Sequence, residues 1–298
     1  MKKTVKKILA EIVYYLYKKK VLKNKIKVMT IDETLDALLN TDKSLVRFGD
    51  GEIVILKGVN LELQKANAQI TENLIRILGY QHENLMVSIQ GVFDGVEKYQ
   101  EKSSLFWKDH LLFCRKIYNR YCNQEKVYCD TAVTRCYYVF KDKSLCGGWF
   151  EKFKRVWKDK DIVVVEGERT HNGVGNDLFE HARSINRIIC PPSNAYDVYD
   201  KILEECEKAS KDKLFLISLG VTAKMLAEDL FLQGYRVLDI GNLDMEYEWY
   251  LSKAEKKMEI GKHKIIGIEA NEKAGYSEYL QQIIARIELP GSCKESRR

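Results

Sequence analysis

The stretch that most restricts the fold is Asp161-Ile-Val-Val-Val165, closed by Glu166-Gly167-Glu168. Four β-branched residues in a row leave no face for water, so a strand built from them must be covered on both sides. That is the situation of a parallel strand between two helix layers. The same cadence recurs at Arg187-Ile-Ile-Cys190, Leu214-Phe-Leu-Ile217 and Val237-Leu-Asp-Ile240. Stretches of helical period separate these runs, over 196–209 and from Thr222 to Gln233, with Gly234 as the stop. Asn176-Asp177 is expected to open another amphipathic helix carrying Leu178, Phe179, Ala182 and Ile185. The alternation predicts an α/β fold, a Rossmann-like, doubly wound and mostly parallel sheet. Ligands of such sheets lie beyond the carboxyl ends of the strands, where Glu166, Glu168, Gly220 and Gly241 fall.

The first half is less regular. Residues 31–43 and 68–80 read as helices, Ser44 to Phe48 and Leu85-Met-Val-Ser-Ile89 as strands, and 104–122 as a helix. Val127 to Arg135 reads as a strand with a polar Thr134-Arg135 tip, and 275–287 as a last amphipathic helix. A chain of 298 residues with 45% hydrophobic residues supports one large domain over 29–290, between a basic helix at 1–28 and a polar tail at 291–298.

Charge is unevenly placed. Residues 1–27 hold ten lysines against Glu11 alone, a net +9, which leaves −3 of the overall +6 for the rest. Val5, Ile8, Leu9, Ile12, Val13 and Leu16 share one helical face flanked by those lysines. Such a helix suits the anionic inner face of a membrane, through residues 1–20; packing on the domain or on a partner protein uses the same pattern. No run of 18 apolar residues is present, so no spanning helix is expected. The eight cysteines include no C-x-x-C pair and read as reduced thiols of a cytoplasmic protein. Basic charge confined to one end, without interleaved motifs, argues against nucleic acid.

Three stretches carry candidate chemistry. In Arg47-Phe-Gly-Asp50-Gly-Glu52, two carboxylates between glycines can face one hard cation and leave its other positions to water and phosphate. A solvated Asp-Gly turn is the plainer reading of the same residues. Gly173-Val-Gly175-Asn176-Asp177 offers bare amides at a strand-to-helix junction, suited to a diphosphate, with Asn176 as a simple N-cap the alternative. Asp244, Glu246 and Glu248 alternate just after a buried strand, ahead of Trp249. They suit general-base work or sugar hydroxyl binding, or else a solvated face. Arg135, at a strand end, could hold a phosphate or a surface carboxylate.

Taken in order, Arg-Phe-Gly-Asp-Gly-Glu (47–52), Thr-Arg (134–135), Glu-Gly-Glu (166–168), Gly-Val-Gly-Asn-Asp-Leu-Phe (173–179), Asn-Ala (194–195), Leu-Gly-x-Thr-Ala (219–223), Asp-Ile-Gly (239–241) and Glu-Tyr-Glu-Trp (246–249) resemble the GT-D fold glycosyltransferases. This bacterial family was first catalogued as a domain of unknown function. The resemblance covers about 40–250 and implies a transferase moving glucose or a related hexose from a UDP-sugar to a glycan or glycopeptide acceptor. Asp50 and Glu52 would hold Mn²⁺ or Mg²⁺. Arg47, Arg135, Glu166, Gly173, Gly175, Asn176, Asp177 and Asp244 would lie at the nucleotide sugar, with Glu246 or Glu248 activating the acceptor hydroxyl. Three positions depart from the family pattern: His171 replaces an arginine, Asn242 a histidine and Val221 a proline. A nucleotide-sugar phosphohydrolase, or a non-catalytic member binding a partner transferase, is the rival expectation.

Overall fold

A computed structural model describes residues 3–22, 25–79, 82–264 and 275–290; the tail expected at 291–298 lies outside them. The strands are β1 (Lys27–Val28), β2 (Ser44–Arg47), β3 (Leu85–Ile89), β4 (Val127–Asp130), β5 (Asp161–Gly167), β6 (Ser184–Cys190), β7 (Leu214–Ser218), β8 (Arg236–Asp239) and β9 (Ile283–Arg286). They form one sheet in the order β1-β4-β3-β2-β8-β7-β5-β6-β9, and the pairs within it run parallel. Ile162 to Val165 are fully buried, as a two-sided strand requires.

The helices pack in two groups. On one face α4 (Ala68–Gly79), α7 (Tyr199–Glu207) and α8 (Thr222–Leu232) pack together, with α5 (Glu101–Tyr121) beside α4. On the other, α2 (Ile31–Asn40) and α9 (Leu243–Leu251) pack against α6 (Cys146–Val156). From the β5–β7 boundary the chain runs outward to β6 before returning to β7, and β2 meets β8 although far from it in sequence. These two switch points open the sheet's carboxyl edge to ligands.

Four local expectations need correction. No helix follows Asn176: residues 176–182 are turns. The Asn176 Oδ1 accepts from the Leu178 amide at 3.0 Å, and the Leu178 carbonyl accepts from Trp157 Nε1 at 2.8 Å. With Leu178 and Phe179 pinned on Trp157, and β6 starting opposite Asp161, a helical turn cannot form. The strand from Val127 stops at Asp130, whose Oδ1 caps the Ala132 amide at 2.9 Å and starts the 3-10 turn Thr131–Thr134. The last helix, α10 (Tyr276–Gln282), gives way to β9, where Ile283 and Ile284 prefer the open edge of β6. Asp50 and Glu52 sit in the short helix α3 (Asp50–Ile55), not in a free turn.

The N-terminal helix α1 (Lys3–Lys18) docks on α5, but not by its aliphatic face. Ala10, Tyr14 and Tyr17 are buried; the Tyr14 hydroxyl accepts from the Val96 amide at 3.1 Å, and Lys6 pairs with Asp109 at 2.9 Å. Ile8 and Ile12 remain 56% and 48% exposed. The domain takes the tyrosine face because its rings can both fill space and satisfy a backbone donor. Among the described residues seven cysteines are unpaired and buried.

Candidate active site

Two clefts adjoin over the carboxyl edge. The first encloses about 350 Å³ beyond β2, β3 and β4. Arg47, Lys102, Arg135 and Lys257 line it against a single carboxylate, Asp50, with the rings of Phe106, Trp107 and Tyr138. Burial, and the neighbouring Arg47 charge, pull the Arg135 guanidinium below its ordinary value, yet it remains cationic. The second encloses about 490 Å³ beyond β5 to β8. Its charged groups, Glu62 and Arg169, cancel, and Thr170, Asn172, Ser193 and Asn242 supply neutral polar groups.

Arg47 divides the two. Its Nε donates to the Thr131 carbonyl at 3.3 Å, and its guanidinium lies across Gly241, where a Cβ would overlap it. Gly241 also has φ +47°, so this residue is required twice over. Beneath the divider, Lys224 is buried with three acceptors for its three protons: Glu52 Oε1 at 3.0 Å, Asp239 Oδ2 at 3.0 Å and the Gly220 carbonyl at 2.9 Å. Glu52 Oε2 accepts from the Gly49 amide at 2.7 Å. Burial alone would raise the Glu52 carboxyl, but Lys224 and Arg47 outweigh it and hold it below its ordinary value. Both oxygens of Glu52 are thus committed, whereas Asp50 presents its carboxylate to the cationic cleft.

The remaining residues expected at a nucleotide sugar do not converge on either cleft. The Gly173 amide donates to Asp244 Oδ1 at 2.8 Å, and a Cβ at Gly173 would overlap the Phe179 ring. Asn176 Nδ2 donates to Asp244 at 2.9 Å and to Glu248 at 2.6 Å, and Lys262 bridges the same two carboxylates. Gly175 backs onto Gly275, and Asp177 accepts from the Tyr247 hydroxyl at 2.6 Å and pairs with Lys154. These contacts sew the 168–182 crossover to α9. Glu246 Oε2 accepts from the Tyr137 and Tyr138 amides at 3.0 and 2.8 Å, so it holds the turn that carries Tyr138; burial raises its carboxyl. Trp249 fills the core, its Nε1 donating to the Met258 carbonyl at 3.0 Å. Glu166 is fully buried between Arg187 and Asn172. Of the departures from the family pattern, His171 packs on Tyr276 and Tyr279, while Asn242 and Val221 line the neutral cleft.

Sequence reading passed over Lys224, Lys102, Trp107 and Asn172. Lys224 did leave a signal, a lysine within the apolar run Thr222-Ala-Lys-Met-Leu-Ala227. The others had none, because their relevance depends on which wall they join.

Among the described residues no group of three or more His, Cys, Asp or Glu side chains converges on a cation position. With Glu52 held by Lys224, the donor set fits an ion that takes one carboxylate, Asp50, and draws its other ligands from phosphate and water.

The chain is thus a Rossmann-like α/β protein with a cationic cleft beside a neutral one over the switch points of its parallel sheet. A family model described as the glycosyltransferase GT-D fold matches residues 45–267, and the chain belongs to that family. It is 40% identical over 236 residues to a probable glycosyl transferase, Gly, of Streptococcus gordonii, covering 79% of this chain and 34% of that protein. It is 37% identical over 266 residues to the glycosyltransferase GlyD of Streptococcus pneumoniae, covering 88% of this chain and 33% of that one. The chain therefore spans about a third of the length of these curated relatives. A solved structure of domain of unknown function 1792, described as a distinct glycosyltransferase fold, superposes with a TM-score of 0.84 at 36% identity, covering 94% of this chain and 100% of that one.

Proposed function

We propose that this protein transfers a hexosyl group, glucose or a close relative, from a UDP-sugar to a glycan or glycopeptide acceptor in bacterial surface-glycan synthesis. The observation that carries the reading is the charge of the first cleft, four cations against one carboxylate. A nucleoside diphosphate matches that imbalance; the neutral cleft does not offer it. Arg47 and Arg135 face the phosphates, with planar forks suited to two oxygens each. Trp107 and Phe106 supply ring faces for the base. Asp50 would hold Mn²⁺ or Mg²⁺ on the diphosphate, and the bound cation would offset the charge that builds on departing UDP. Glu52 stays on Lys224 and keeps α3 in place. Neither Glu246 nor Glu248 is among the residues that line these two clefts; Glu246 is held by the Tyr137 and Tyr138 amides and Glu248 by Asn176 and Lys262.

No described helix is long and apolar enough to cross a membrane. The exposed stripe Val5, Ile8, Leu9, Ile12 and Tyr15, set among lysines, supports a working position on an anionic membrane surface.

The test is UDP release from a panel of UDP-sugars, with Mn²⁺, with Mg²⁺ and with chelator, for the wild type and for Asp50→Asn and Arg135→Met. Metal-dependent release with one donor, lowered at least tenfold in both variants, is expected. Release of UMP and hexose 1-phosphate in place of UDP, with water alone and no gain from any acceptor, would identify a phosphohydrolase, which breaks the diphosphate and not the glycosidic bond. No release and no calorimetric binding of UDP would end the enzyme reading.

A further inference from the structure

The neutral cleft has no assigned ligand, and its chemistry differs in kind from that of its neighbour. Its side-chain charges balance, so it does not share the cationic excess of its neighbour. Hydroxyl, amide and backbone groups alternate with apolar surface from Leu63, Pro191 and Met245 along its walls. Sugar rings present that same mixture, with hydroxyls around the rim and C–H faces above and below.

One wall is unusually well fixed. Asn172, buried at 1% exposure, spends its backbone amide and its Nδ2 on one oxygen, Glu166 Oε2, at 2.8 Å each. The backbone N–H and one Nδ2 proton are therefore committed, and Oδ1 is the acceptor it has left for a ligand. The other Glu166 oxygen accepts from Arg187 Nη1 at 2.6 Å, and Arg187 Nε donates to Gln282 at 2.7 Å. The Arg187 guanidinium also lies over the Tyr279 ring at 4.9 Å. A fully buried ion pair of this kind does little for stability compared with apolar packing, but it fixes orientation. Here it orients an asparagine that lines a cleft. A hydrogen-bond acceptor locked in that way discriminates strongly for a ligand hydroxyl, since a ligand lacking it leaves the buried carbonyl unpaired.

We propose that the neutral cleft is the acceptor site and takes an uncharged saccharide, with Asn172 Oδ1 receiving a sugar hydroxyl and the Arg187–Glu166 pair as its positioning device. The inference rests on the transferase reading, because it assigns the diphosphate to the cationic cleft. The reacting hydroxyl then meets the donor sugar at the divider made by Arg47 and Gly241.

The experiment pairs two measurements on the full chain. Saturation-transfer NMR reads binding of the neutral disaccharides maltose, cellobiose and lactose at millimolar concentration, and calorimetry reads binding of UDP. The variants are Ser193→Trp, which fills the cleft from a half-buried position, and Asn172→Ala. Thermal melts accompany both. The expected result is saturation of at least one disaccharide by the wild type, weakened at least tenfold in each variant, with the UDP dissociation constant unchanged. If UDP affinity falls along with saccharide binding, the neutral cleft holds the nucleotide and the proposal is overturned while the transferase reading stands. If no disaccharide is saturated by a wild type that binds UDP, the proposal is likewise overturned. If UDP fails to bind the wild type, it is the transferase reading that falls, and the saccharide arm still reports on this cleft.

Discussion

At the scale of single residues, the site is governed by how buried charges are matched. Lys224 meets three acceptors with three protons, so each member of the cluster is satisfied. Replacing it by methionine leaves Glu52 and Asp239 buried without their cation, a loss of about 3–5 kcal/mol at neutral pH. The sign of the pH dependence follows from Glu52. Its folded value lies below the ordinary one, so the stability it contributes is present above the unfolded value and is lost as pH falls through the lowered value. The deficit of Lys224→Met therefore narrows as the solution is acidified through the carboxylate range. Urea unfolding of both proteins at neutral and mildly acidic pH checks this; a deficit that stays constant would mean that Glu52 is not the group left unpaired. Gly241 is the second sensitive position. Gly241→Ala places a side chain at φ +47° and against Arg47, with a backbone cost of about 1–2 kcal/mol. Displacement of the guanidinium should lower UDP-sugar turnover at least tenfold. Turnover at the wild-type rate would show that Arg47 does not act from its place across Gly241.

At the scale of elements, α1 serves two masters. Tyr14 and Tyr17 bind it to the domain, and its aliphatic stripe faces out. The double substitution Ile8→Glu/Ile12→Glu should change unfolding stability by no more than about 0.5 kcal/mol, as exposed positions do. It should abolish co-sedimentation with vesicles rich in phosphatidylglycerol. A wild type that ignores such vesicles would remove the membrane reading. By contrast, Tyr14→Ala exposes a core face and orphans the Val96 amide, and should cost about 3 kcal/mol. The crossover 168–182 is the other element with a decided role. Asp244 accepts from Gly173 and Asn176 and pairs with Lys262, so Asp244→Ala should loosen the crossover from α9. The readout is faster amide hydrogen exchange over 168–182, with strand β3 unaffected.

At the scale of the whole molecule, ligand and fold should be linked through the cationic cleft. UDP with Mn²⁺ at a hundredfold excess over its dissociation constant should stabilise the native state by about 2.7 kcal/mol. The thermal midpoint should rise with UDP concentration and respond less when chelator is added. A midpoint that UDP does not move would remove this cleft as the nucleotide site. The sheet that positions the cleft was largely legible beforehand. Ser44 to Phe48 and Leu85 to Ile89 are readable as strands, and Ile162 to Val165 as a buried one, because four apolar β-branched residues in a row leave no face for water. Their glycine and carboxylate endings mark the edge where the clefts open. Local pattern failed where remote contacts intervened: Trp157 keeps 176–182 from becoming a helix, and the open edge of β6 draws Ile283 to Arg286 into a strand. The motif 47–52 does not reveal by itself how its two carboxylates are divided. Asp50 opens on a cleft while Glu52, two residues on, turns to a lysine from α8. Sequence by itself thus determined the parallel α/β architecture, through the short-range periodicity of apolar residues. Tertiary structure alone decided which carboxylates open on a cleft and which meet a buried cation, because a polar side chain's partner comes from distant segments that no local pattern encodes.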